Sequence, residues 1–204
     1  MPGNDFERLC SLYLRLNGFF HTVNFTLHYT PKRKKTEEID FVGVRFPDSC
    51  ETPMTENGNY DEEFRFEDDK QLLDMIDDSK ITILLGEATV SPDPNMISDR
   101  VKKLENYLRT KYALQRFGLF DNKEIERIVK GRSDGFSLLR VVFVVSKKTF
   151  RESDFKTVRF LSYHDIYSFI QNRASHALKA SGIHLLPEGL QDFVTFLQAL
   201  KFEQ

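Results

Sequence analysis

The chain has no tryptophan and only two cysteines among its 204 residues. Cys10 falls in a helical pattern and Cys50 in a polar stretch, so a disulfide framework is not expected and a reduced, cytoplasmic setting is the default reading. No apolar run approaches the roughly 20 residues that cross a bilayer, so no membrane partner is expected. The opening Met1-Pro2-Gly3-Asn4-Asp5 lacks the basic-then-apolar layout of a signal peptide. A glycine-rich phosphate loop is missing, which removes the P-loop and dinucleotide-binding readings. No G-x-S-x-G elbow marks a Ser-His-Asp site. His21, His28, His164, His176 and His184 are scattered, without the H-x-H or H-E-x-x-H spacing of zinc ligands. There is no internal repeat and no low-complexity tract.

What is present is an ordinary globular balance, 40% hydrophobic and 29% charged, in a length that suits one domain with a substantial core. The aromatic content rests on 19 Phe and 7 Tyr. The net charge of −2 conceals an asymmetry. Between Asp48 and Asp78, twelve acidic side chains face only Arg65 and Lys70, leaving 27 basic against 19 acidic residues elsewhere. A basic body with an acidic insertion at about 48–78 is compatible with a phosphate-bearing partner. That insertion reads as a solvated loop.

The hydrophobic periodicity gives a first helix from Asn4, with Phe6, Leu9, Cys10, Tyr13 and Leu16 on one face, closed by Asn17-Gly18. Val23 to Tyr29 reads as a strand, joined by the basic turn Lys32-Arg33-Lys34-Lys35 to a second strand, Glu38 to Val44. A short helix is expected within Phe64 to Ile76, with Leu72, Leu73 and Ile76 inward, then a third strand, Ile81 to Val90. After Ser91-Pro92-Asp93-Pro94, one long helix is expected from Asn95 to Phe117, then a helical piece from Asp121 to Lys130. Leu138 to Val145 and Val158 to Leu161 read as strands. Ser162 and Asp165 open a further helix, and Pro187 a last one, so a C-terminal helical extension covers about 162–204. The order predicts an α/β fold: an α-β-β-β-α-β core at about 4–146, with a mixed central sheet flanked by helices.

Two of these strands each carry a carboxylate in a run that otherwise reads as buried: Asp40 in Glu38-Ile39-Asp40, and Glu87 in Gly86-Glu87-Ala88-Thr89. A buried carboxylate is costly unless a cation or a set of donors meets it. Two of them on adjacent strands raise each other's pKa, a conflict that a divalent metal would relieve. Strand alternation puts Glu87 and Thr89 on one face and Ala88 on the other.

Together with Asn4-Asp5-Phe6-Glu7, these segments resemble the PD-(D/E)XK nuclease superfamily, with its restriction-endonuclease-like fold, and most closely its type IV restriction and junction-resolving branch. The resemblance implies a metal-dependent endonuclease hydrolysing DNA phosphodiester bonds, with a role in restriction or genome defence. In that reading Asp40 and Glu87, with the carbonyl of Ala88, would bind Mg²⁺ or Mn²⁺, and Glu7 would support them. Glu7 also fits the capping box Asn4-x-x-Glu7. Thr89 stands where the family has its lysine, and a hydroxyl does not replace an ammonium. Arg100-Val101-Lys102-Lys103-Leu104 resembles the pattern of members whose lysine has moved to the following helix, which makes Lys103, with Arg100 in reserve, the candidate catalytic cation. Lys32, Arg33, Lys34 and Lys35 are candidate DNA-phosphate contacts. Many relatives act as homodimers, and Leu190 to Phe202 is the candidate contact. The alternative is a degenerate member that serves as a nucleic-acid-binding or assembly module without cutting.

Overall fold

The protein is described from a computed structural model over residues 5–28, 36–49, 67–118, 120–148 and 150–180. Helix α1 spans Asp5–Leu16, strand β1 Phe20–His28, β2 Thr36–Arg45, α2 Lys70–Leu73 and β3 Ile81–Thr89. They are followed by α3 at Pro94–Glu105, α4 at Tyr107–Arg116, α5 at Asn122–Val129, β4 at Phe136–Val144, β5 at Arg159–Ser162 and α6 at Tyr163–Ala180. The sheet order is β1-β2-β3-β4-β5, antiparallel through β3 and parallel from β3 to β5. The expected α/β architecture with a mixed sheet is therefore present, because parallel β3 and β4 need the long crossover that α3, α4 and α5 supply. Among the described residues no helix is long and apolar enough to cross a membrane.

β3 lies at the centre of the sheet and is buried along nearly all of its length, which explains its apolar stretch Ile83-Leu84-Leu85 and makes Glu87 a buried charge. One face of the sheet packs Leu84, Ala88, Val141 and Phe143 against α1 and α6, through Cys10, Tyr13, Leu14, Ile166 and Ile170. The opposite face packs Leu85, Val142 and Val144 against α3 and α4, through Ile97, Val101, Leu104 and Ala113. α1 ends as the sequence predicts: Gly18 adopts φ 75°, and the Phe19 and Gly18 amides donate to the carbonyls of Leu14 and Arg15.

β2 and β4 each begin two residues before their expected starts, at Thr36 and Phe136, and three further differences follow. β1 begins at Phe20 rather than Val23. The long helix is two helices, because Asn106 is extended (φ −64°, ψ 110°) and its side chain caps α4 by accepting from the Arg109 amide at 3.1 Å. An Asn with a local backbone acceptor role favours a cap over helix interior, which is why apolar periodicity alone overlooked the break. The described part of the acidic insertion is built into the fold. Asp69 caps α2 and accepts from the Tyr13 hydroxyl at 2.7 Å, while Asp68 and Asp78 pair with buried Arg45. The helix expected from Pro187, and the dimer contact within it, lie outside the described residues.

The Ser162–Asp165 capping box is formed: the Ser162 amide donates to Asp165 Oδ2 at 2.9 Å and the Asp165 amide to Ser162 Oγ at 3.3 Å. Burial pushes the Asp165 carboxyl up, but the Ser162 bonds and Lys147 at 3.1 Å outweigh it and hold the group below its ordinary value. A lowered carboxyl stabilises the fold above its unfolded pKa and loses that contribution as pH falls through the folded value. Asp165→Ala is therefore expected to cost about 1 kcal/mol in urea unfolding at pH 7. The difference from wild type should shrink in acid below the ordinary carboxylate range; a constant difference down to pH 2 would show that the charge is irrelevant.

Candidate functional site

Asp40 and Glu87 are brought together by an interruption in strand pairing. The β2–β3 ladder ends at Phe41 opposite Gly86. One residue beyond it, the Asp40 carboxylate takes the place of a backbone acceptor, and the Ala88 amide donates to Asp40 Oδ2 at 2.8 Å. On the other side of β2, Asn24 of β1 has φ 53°, and the side chains change faces there. Phe41 and Val23 belong to the α1 side, whereas Ile39, Phe25 and Leu27 belong to the α3 side. Gly86 is closely packed: a Cβ there would lie 3.2 Å from Phe41 and Phe143, whose rings meet edge to face at 5.3 Å.

Glu87 has 0% exposure. Its Oε2 accepts from Arg100 Nη1 at 2.7 Å, and its Oε1 accepts from Arg109 Nη2 at 2.7 Å. Lys103 Nζ lies 3.9 Å from Oε2, and Arg100 Nη1 also lies 3.8 Å from Asp40 Oδ2. Both basic residues singled out on α3 thus reach the carboxylates. Burial, and then the Asp40 charge, push the Glu87 carboxyl up from its ordinary value, against the opposing pull of Arg109, Arg100 and Lys103. Two guanidinium donors on separate oxygens suit the ionised form, since a protonated carboxyl has one acceptor oxygen fewer to offer at full strength.

Arg109 was missed by the sequence reading and is the most buried cation of the cluster, at 2% exposure. Its Nη2 also donates to the Glu38 carbonyl, and its Nε lies 3.7 Å from Glu37 Oε2. Its Nε and Nη1 have no hydrogen-bond partner among the described residues. In one continuous helix, nine residues at about 100° each would put Arg109 half a turn away from Arg100. The break at Asn106 turns it back toward Glu87. The only sequence signal was Asn106 itself.

Thr89 is buried, and its Oγ1 accepts from the Ser91 amide at 3.2 Å, so the hydroxyl closes the turn into α3. Ala88 packs in the core on the α1 side. Glu7 is half-buried on the first turn of α1, close enough for its charge, like that of Asp40, to act on the buried Cys10 thiol. Burial first, and then Glu7 and Asp40, raise that thiol well above its ordinary value. Lys32, Arg33, Lys34 and Lys35 lie outside the described residues.

This donor set does not fit a divalent metal. Both Glu87 oxygens are committed to guanidinium groups, and with Glu37 at the rim three carboxylates already meet three cations. A metal ion would have to displace a guanidinium from a buried acceptor and would find no net negative charge to neutralise. Among the described residues, no group of three or more His, Cys, Asp or Glu side chains is placed to hold a metal. Comparisons with protein-family models, with curated proteins and with solved structures find no significant match.

Proposed function

We propose that this chain is a catalytically degenerate relative of the PD-(D/E)XK nucleases that binds nucleic-acid phosphates without metal and without cutting. The observation that carries this reading is the Glu87 carboxylate, fully buried and held on both oxygens by Arg100 and Arg109 at 2.7 Å. An internal cation cluster sits where the resemblance calls for a metal. Thr89, spent on a turn, removes the in-line lysine. Lys103, half-exposed at the rim, and the basic run Lys32 to Lys35, which precedes β2 in the sequence, are the phosphate contacts this reading uses. The excess of Lys and Arg outside the acidic segment gives a partner-attracting field.

The test is binding of a fluorescent duplex, a four-way junction and a single strand, measured with EDTA and with Mg²⁺. Affinity is expected to be unchanged by EDTA. It should fall about 40- to 150-fold between 50 and 200 mM salt for three or four phosphate contacts. Lys103→Ala should reduce the salt slope by about one contact. No DNA binding at low salt sinks the proposal. The second reading, a metal-dependent endonuclease, is favoured by one observation: Arg100 and Lys103 both reach the carboxylates. Nicking of supercoiled plasmid with Mg²⁺ or Mn²⁺, lost in Asp40→Ala, would establish that reading in place of the first.

A further inference from the structure

A cavity of about 840 Å³ opens between α1 and β1, and its lining shares no residue with the Glu87 cluster. On its wall, Ser11 of α1 and His21 of β1 meet with Oγ 2.7 Å from Nε2. The other ring nitrogen, Nδ1, lies 3.4 Å from the Phe19 carbonyl. A carbonyl only accepts, so Nδ1 carries the proton, Nε2 is the acceptor, and the Ser11 hydroxyl donates to it. This is the relation between a nucleophile and its general base, with a main-chain carbonyl holding the imidazole in the productive tautomer.

Four further features fit that relation. Arg15, one turn along α1 from Ser11, lines the same cavity and supplies its cation. Leu16, Phe19 and Val23 give it apolar wall. Gly43 faces His21 across the β1–β2 ladder, where a Cβ would come within 2.7 Å of the His21 Cβ, so the position opposite the imidazole takes no side chain. Burial lowers the His21 pKa, the Phe19 bond opposes that, and Arg15 lowers it further, which keeps the imidazole neutral and able to take a proton.

We propose that Ser11 is a nucleophile activated by His21, acting on carboxylic esters that carry an anionic group for Arg15. Ser11 Oγ forms a bond to the acyl carbon as its proton passes to His21 Nε2. The adduct collapses, the ester C–O bond breaks, and the leaving alcohol takes that proton. Water then attacks acyl-Ser11, giving one proton to His21, and the Ser11 oxygen recovers it as the carboxylic acid departs. The net change is ester plus water to acid plus alcohol. A Ser-His pair set on a helix and a strand leaves no local motif, so its partners are found only in space.

A fluorophosphonate probe tests this directly, since it bonds to an activated serine oxygen with loss of fluoride. Peptide mass spectrometry is expected to place one adduct on Ser11, absent in Ser11→Ala. His21→Gln should slow labelling about 100-fold or more. Wild-type protein unfolded in urea should be unreactive, because His21 is then no longer held beside the hydroxyl. The proposal is overturned by an unlabelled Ser11 in the folded protein. It is equally overturned by labelling that is the same in His21→Gln, or the same in folded and unfolded wild type.

Discussion

Arg109→Ala is expected to lower the unfolding free energy by about 3–5 kcal/mol, the usual cost of removing one partner from a buried ion pair. The side chains of Arg109 and Glu87 are 3% and 0% exposed, so water cannot replace the lost guanidinium on Glu87 Oε1. Glu87→Ala should cost a similar amount, because it strands Arg109 with a backbone carbonyl and an exposed Glu37. Arg109→Lys should recover part of the loss, since both bonds leave the single nitrogen Nη2, whose charge and donors an ammonium supplies from a shorter stem. The double change Glu87→Leu with Arg109→Met should be close to wild type, as well-packed apolar substitutes avoid desolvating either charge. Urea unfolding with an unchanged m-value checks all four. A loss below about 1 kcal/mol in Arg109→Ala would mean that Glu87 is not dependent on it. The outcome bears on function as well, because a cluster that holds the fold together is not one that opens readily to admit a metal.

A second large effect is expected at Arg45, at the far end of β2. Its side chain is 3% exposed and donates to Asn17 O at 3.2 Å, Ser49 O at 2.7 Å and Asp68 Oδ2 at 2.9 Å, as well as to Asp78. Arg45→Ala should cost about 3–5 kcal/mol, since it leaves the buried Asp68 carboxylate and two carbonyls without their donor, and Asp68→Ala should cost about 1–3 kcal/mol, since Arg45 keeps Asp78 and both carbonyls but loses its buried counter-charge. Asp78→Ala should cost less than about 1 kcal/mol, because Asp78 is 50% exposed and water takes over its role. The contrast between two aspartates on one arginine is the informative measurement. Equal losses at Asp68 and Asp78 would contradict the view that burial decides the strength of these pairs.

The layout of the sheet and its helices was legible because it rests on periodicity. β3 and the second half of β4 are buried on both faces and read as largely apolar runs. α1 and α3 show their inward stripes, and Gly18 and Ser162 mark a helix end and a helix start. The acidic residues Asp40 and Glu87 stood out for the same reason, as charges inside runs that burial demands be apolar. Arg100 and Lys103 were singled out only through the resemblance of Arg100-Val101-Lys102-Lys103-Leu104 to a family pattern, and both reach Glu87.

What surrounds those carboxylates was decided by tertiary structure. Arg109 enters the site because Asn106 breaks a helix that its apolar pattern would continue, and a one-residue break changes the direction of every side chain after it. Asp68 looked like a member of a solvated acidic tract, yet Arg45, more than twenty residues earlier, makes it part of the core, while Asp78 meets the same arginine from the surface. Ser11 and His21 belong to no motif and meet only where α1 lies against β1. Local patterning by itself determined which segments become helix or strand and which charges are out of place. The identity of the groups that meet those charges came from long-range packing, because hydrogen bonds and ion pairs act over a few ångströms in space and are indifferent to separation along the chain.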